Sequence, residues 1–361
     1  MNLTPLMRGN IPHREFDANQ CIKFSESLHD SFGYGSGKND ALALDTLVMA
    51  SMTNGYVEGS SQLTGISGQT VRNHLKHGDP DLLLQINHDL ITTLGKRGLL
   101  KKPLILAMDW HDEMYYGDLR TEGIIGTKNN RGTNYAYEYA TASIVIEGIR
   151  FVIAVIPVTD RTILDMVSNL LDMVHSAGIR IKTLLLDGGF YSIDAIRCLQ
   201  SSGVAYIMHA PKLKNVCKDQ EVDIEHTTSS HARRKNQQAS FRIVSVYGRN
   251  KKGKVLYIFA TNTVFQPREV LRFFKKRWGI ETGYRMVRKF LAKTTSRRYN
   301  IRLLYFYFAI LLYNLWVLLN LKNGSKIIAD VLRAFVVSSL VRVNPFVINL
   351  YLENRASGGE F

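Results

Sequence analysis

Two apolar runs in this chain end in aspartate: Leu-Ile-Leu-Ala-Met before Asp109, and Lys-Thr-Leu-Leu-Leu before Asp187. In open sheets ligands gather beyond strand ends, so these are positions for chemistry. A carboxylate after large apolar residues is poorly solvated and needs a donor, a cation or a metal. It can also simply cap the next turn. Gly188-Gly189 after Asp187 favours the functional reading, because two glycines let a bulky phosphate chain come close. Asp112 is a second candidate near Asp109, which is preferred because the apolar run ends there. A third carboxylate, Glu281, sits in a basic helix with Arg277 at i−4 and Arg285 at i+4. That spacing fits a surface Glu–Arg ladder, or a metal-binding Glu between phosphate-binding arginines. Three oxygen donors in a basic surround suit Mg2+ or Mn2+. Two such ions would serve phosphoryl transfer. His111 stands alone beside Asp109, so no zinc cluster competes.

Charge narrows the substrate. The chain has 361 residues, with 46 Lys and Arg against 31 Asp and Glu, a net of +15. Such an excess attracts polyanions. It is concentrated: residues 211–254 carry a net of +7 and residues 267–298 a net of +9, so the rest is close to neutral. An excess confined to two segments reads as an electrostatic footprint rather than a generic basic surface. With 45% hydrophobic and 21% charged residues the composition is globular, which excludes wholesale disorder. Cys21, Cys198 and Cys217 are far apart, which excludes a disulfide framework and fits a reducing cytoplasm. The first residues lack the apolar run of a secretory signal.

The elements that must position these groups follow from pattern. At about 150 residues per domain the length suggests two or three domains. Residues 1–39 read as loosely ordered. A helix is expected from Asp40 to Gly55, then a short helix to Gly65, then one capped by Ser67 with Val71 and Leu75 on its inner face. This is a helix-turn-helix pattern, with Gln69, Arg72, Asn73 and Lys76 turned outward to meet DNA bases and phosphates. From residue 103 the expected order is three strands, helix, strand, helix, strand. The later alternation demands parallel crossovers, hence a mixed α/β sheet with helices on its faces. Residues 231–240 read as a loop, and 241–248 and 254–262 as strands. A helix from Pro267 should continue past Gly279 and Gly283. Residues 303–321 contain no charge, which by length alone fits a membrane span; the reading favoured here is a buried core helix.

The combination resembles the DDE transposases of bacterial and archaeal insertion sequences, in group four. Their signature is Tyr-x2-Arg-x3-Glu-x6-Lys, and here Phe274, Arg277, Glu281 and Arg288 take those places. AMDWHDEMYYG around Asp109, LLLDGGFYS around Asp187 and the late YNLWVLLNL run are similar to the family's segments, so the likeness spans roughly residues 101–322. Phe274 lacks the hydroxyl of the family's Tyr, and Arg288 keeps the charge of its Lys with another geometry. The resemblance implies a ribonuclease-H-like catalytic domain over 101–325, with a β-rich insertion at about 211–262. A helical DNA-binding domain over 1–100 would precede it, and a tail over 326–361 would follow. It implies Asp109, Asp187 and Glu281 as ligands of two Mg2+ or Mn2+ ions. Lys275, Lys276, Arg277, Arg285 and Arg288 would hold phosphates. Trp278 would stack on a displaced base or pack in the core. Water attack at an element end would free a 3′-hydroxyl, which would then attack target DNA. The implied partners are double-stranded DNA, as terminal inverted repeats and target, and a second copy of the chain, with no membrane.

Overall fold

A computed structural model of the protein describes residues 38–96, 100–130, 132–146, 149–159, 161–212, 220–229, 238–250, 253–323 and 327–343. The expectations for residues 1–37, and for 231–237 of the expected loop, lie outside these residues. The chain forms two compact units, one from His88–Tyr284 and one from the flanking segments Met1–Asn87 and Arg285–Phe361. The second is therefore discontinuous in sequence.

The flanking unit begins with α1 (Lys38–Thr53), α2 (Val57–Thr64) and α3 (Gly68–Lys76), leading into α4 (Pro80–Lys96). Gly65 ends α2 in the left-handed region, φ 75°, where a side chain would be strained. Ser67 caps α3 by accepting from the Thr70 amide at 3.1 Å. Val71 and Leu75 are buried, while Gln69, Asn73 and Lys76 are exposed and Arg72 is partly exposed. The helix bounds, the Ser67 cap and the buried face of α3 fall where the pattern puts them. The later chain supplies α9 (Tyr299–Asn323) and α10 (Ala329–Val343) to the same unit. The apolar window Tyr299–Asn320 is 72% buried inside the protein, as a core helix is. Its buried Asn314 donates to the buried Asn87 at 2.6 Å, pairing two amides in the interior.

The His88–Tyr284 unit is built on one nine-stranded sheet. Its strands are β1 (Leu104–Met114), β2 (Ile125–Asn130), β3 (Thr133–Ile146), β4 (Ile149–Val158), β5 (Ile181–Leu186), β6 (Tyr206–His209), β7 (Val222–Ser229), β8 (Gln238–Asn250) and β9 (Gly253–Thr261). The order is β2-β3-β1-β5-β6-β9-β8-β7, with β4 also on β3. β1, β3 and β4 pair antiparallel, and β1, β5 and β6 pair parallel. Leu184, Leu185 and Leu186 of β5 are all buried, as a central parallel strand covered on both faces requires. The crossovers are α5 (Ile163–Ser176), opened by a Thr162–Asp165 capping box, and α6 (Ile193–Ser201), capped by Ser192. After β9, α7 (Pro267–Lys275) and a 3-10 turn (Lys276–Trp278) lead into α8 (Gly279–Val287).

Two expectations change. β2 and β7 are additional strands, hidden by polar sequence. Gln238, Ala239 and Ser240, expected in a loop, open β8, where they pair with β7. The β-rich insertion extends the central sheet, because β9 pairs antiparallel with β6.

Candidate active site

Asp109 is not at a strand end: β1 continues to Met114, with Asp109 opposite Thr141 of β3. What ends is its other neighbour. The parallel pairing with β5 stops at Met108–Leu186, and Asp187 is the next residue. Both aspartates thus flank the edge where the parallel pair runs out.

One side chain joins them. Arg277, from the 3-10 turn after α7, donates to Asp109 Oδ2 at 2.7 Å, and its other terminal nitrogen lies 3.3 Å from Asp187 Oδ1. The Arg277 and Asp109 side chains are only 10% and 11% exposed, and Asp187 is 40% exposed. Asp109 Oδ1 also accepts from the Trp110 amide at 3.0 Å. Thr141 bonds Tyr284 and lies 3.5 Å from the Asp109 carbonyl, so β3 and α8 both brace this point. Below the guanidinium lies Phe274, whose ring centre is 5.4 Å from the Arg277 carbon. Phe274 is buried against Phe259 and His209.

His209, at the end of β6, joins the site without having stood out in the sequence. It is half-buried, and burial holds its imidazole below the usual histidine range, against the opposing pull of Asp187. A Cβ on Gly188 would come 3.0 Å from its Nδ1. A Cβ on Gly189 would come 2.5 Å from Trp110 Nε1, and Trp110 stacks on Phe190 at 4.3 Å. The two glycines, in a 3-10 turn (Gly188–Phe190), therefore make room for His209 and Trp110. Gly189→Ala is expected to cost about 1–3 kcal/mol through overpacking against the indole. Urea denaturation measures it, and an unchanged midpoint would contradict this packing.

A second acidic pair lies along β1 and β3, where Asp112 faces Glu138 in register. The Glu138 carboxyl is pushed up to about 7, first by burial and then by the charge of Asp112. The folded state therefore holds a proton that the unfolded chain releases near pH 4.5. Stability should fall as pH rises from about 4.5 to 7, by about 1–2 kcal/mol after allowing for partial exposure. Glu138→Gln should flatten that slope in denaturation measured across the window; an unaltered slope would remove Glu138 as its source.

The other expected site residues are more dispersed. Lys275 is partly buried, and Lys276 is exposed, with its ammonium 5.1 Å over Phe273. Arg285 and Arg288 are exposed and belong to the flanking unit, as do Gln69, Arg72, Asn73 and Lys76. Glu281 lies in α8, but its side chain and that of Trp278 are outside the described ones. Among the described residues no three His, Cys, Asp or Glu side chains group to hold a metal. The Asp109–Asp187 pair nevertheless fits a cation. Its two carboxylates converge on one positive group, with the guanidinium as stand-in, and oxygen donors suit Mg2+ or Mn2+.

A mixed sheet with three antiparallel and three parallel-paired strands sharing β1, and acids where the parallel pair ends, is consistent with a ribonuclease-H-like transposase fold. Residues 126–315 match the family described as "Transposase DDE domain", and the chain belongs to that family. Among solved structures it is similar to the piggyBac transposase in a synaptic complex with hairpin DNA. The TM-score is 0.58 at 13% identity, over 96% of this chain and 86% of that one. At that identity the likeness is one of fold. The Mos1 transposase paired-end complex with the left transposon end aligns at TM-score 0.18 and 10% identity, over 55% of this chain and 60% of that one. No curated protein sequence matches.

Proposed function

We propose that this transposase cuts DNA at the ends of an insertion sequence of group four and joins the freed 3′-ends to target DNA. The observation that carries the proposal is the convergence of Asp109 and Asp187 on one buried guanidinium. Asp109 and Asp187 would hold Mg2+ or Mn2+, with Glu281 as third ligand and room for two ions. Bound there, the metal supplies Lewis-acid stabilisation of the attacking and leaving oxygens.

The chain's own residues do the rest. Asp109 is fixed by the Trp110 amide and by the pairing of β1 with β3, so its carboxylate is pre-oriented. Arg277 neutralises both acids until a cation replaces it, and its guanidinium is then free for a phosphate. Burial disfavours the charged form of the His209 imidazole beside Asp187. Lys275, Lys276, Arg285 and Arg288 would carry phosphate charge, and α3 would read the terminal repeat. The similar piggyBac transposase is seen in a synaptic complex with DNA. A paired-end arrangement here would use two copies of this chain, acting in the cytoplasm on the nucleoid.

The test is to incubate the full chain and Mg2+ with a duplex bearing a pre-cut 3′-hydroxyl end and a supercoiled target plasmid. Covalent joining of the end to the plasmid is expected. Nicking without joining would leave a nuclease, and binding without either would leave a silent DNA-binding protein.

A further inference from the structure

The flanking unit contains a groove of about 340 Å³ lined on one side by α3 and on the other by the connection Lys293–Arg298. Several of the α3 side chains expected to meet DNA are already engaged with each other. Gln69 donates to Asn73 at 3.0 Å, Arg72 donates to Gln69 at 2.8 Å, and Arg72 pairs with Glu58 of α2. Glu58 is the acid in the lining, and Arg72 offsets it. The cations left to set the groove's charge are Lys76, Lys293 and Arg298, all exposed. Between the last two stand the hydroxyls of Thr294, Thr295 and Ser296.

The connection is held in place rather than loose. The Lys293 amide donates to the Gly55 carbonyl at 2.8 Å, just before α2, and Asn300 donates to the Gly78 carbonyl at 2.9 Å, just after α3. Asn54 donates to the carbonyls of Arg288 and Leu291 at 3.0 and 2.7 Å. Within the connection, Ser296 Oγ accepts from the Arg298 amide at 3.1 Å, and Arg302 donates to the Ser296 carbonyl at 2.8 Å. The α2–α3 pair is thus clamped before and after by chain that follows the sheet unit in sequence. Cations and hydroxyls on a pre-ordered frame, beside a helix with outward amides, are the donor set that follows a DNA backbone.

We infer that Lys293 and Arg298, with Lys76 across the groove, form a phosphodiester-binding site for duplex DNA. α3 and the 293–298 connection would then grip one strand together. The inference rests on the DNA-acting reading above and adds residues to it. It means that DNA binding requires both sequence segments of the discontinuous unit.

The experiment is fluorescence anisotropy of a labelled random-sequence 30-bp duplex with the full chain, at NaCl from about 50 to 300 mM. Lys293→Gln/Arg298→Gln is compared with Lys101→Gln/Lys182→Gln, an exposed pair in the sheet unit that changes net charge equally. The first double variant should lose about 10–100-fold in affinity near 0.1 M salt, and its salt slope should fall by about two, at about 0.9 for each phosphate no longer neutralised. The control should keep the wild-type slope, and both should melt as the wild type does. Equal slopes for the first variant and the wild type would overturn the site and leave the DNA-acting reading intact. Equal losses in both variants would reduce the effect to net charge and also overturn the site. Tighter binding of an RNA duplex would overturn the assignment to DNA. A wild-type chain that does not bind the duplex would overturn both.

Discussion

Arg277→Met should destabilise the His88–Tyr284 unit by about 3–5 kcal/mol, the usual cost of removing one partner from a buried ion pair. The reason is specific to Asp109. Its side chain is 11% exposed, so without the guanidinium its charge is left in a poorly solvated place. Asp187 suffers less, because at 40% exposure water can replace Arg277. Two further results should follow. Asp109→Leu in the Arg277→Met background should recover most of the loss, since no buried charge remains. Millimolar Mn2+ should raise the melting temperature of Arg277→Met more than that of the wild type, because the cation no longer competes with the guanidinium. Chemical denaturation of the single and double variants, with and without Mn2+, measures all three. Additive single and double effects would mean that Arg277 and Asp109 are not energetically coupled.

Asp187→Asn should abolish Mg2+-dependent cutting while the fold survives. Asparagine keeps the shape at the end of β5 but removes a charge on which the proposed cation site depends. Second-sphere partners of metals already cost about 10–100-fold when mutated, so loss of a ligand should cost at least about a hundredfold. The stability change should stay within about 1 kcal/mol, as for a partly exposed ion pair. Plasmid nicking kinetics and thermal melting, done on the same preparation, separate the two effects. Cutting near the wild-type rate with melting intact would remove Asp187 from the site.

The sequence is most informative where local rules and tertiary needs agree. Ser67, Gly65, Val71 and Leu75 specify the α2–α3 turn through capping and burial that depend on neighbours close in the chain. The leucines before Asp187 announce a central parallel strand because burial on both faces leaves no alternation. Elsewhere the determinants are distant. Asp109 reads as a strand end because its apolar run stops, yet β1 continues, since β3 pairs with it as far as Met114. Polar β2 and β7 are strands because a partner supplies their hydrogen bonds, which composition does not encode. Arg277 reads as a phosphate ligand from its place beside Glu281; only the fold brings it between two aspartates far away in sequence. His209 has a signal that could have found it: like Asp187, it is a polar residue closing an apolar parallel strand. The Lys293–Arg298 connection carries charge in the sequence but no periodicity, so its pairing with α3 becomes visible only in three dimensions.

The central claim is that Asp109 and Asp187 together bind the divalent cation used to cut DNA. Its most direct test is Asp187→Cys, assayed for DNA cutting in Mg2+ and in Mn2+. A thiolate is a poor ligand for hard Mg2+ and a better one for softer transition metals. The account predicts cutting lost in Mg2+ and restored at least in part by Mn2+, with wild-type activity in both. Cutting by Asp187→Cys in Mg2+ at the wild-type rate would contradict it.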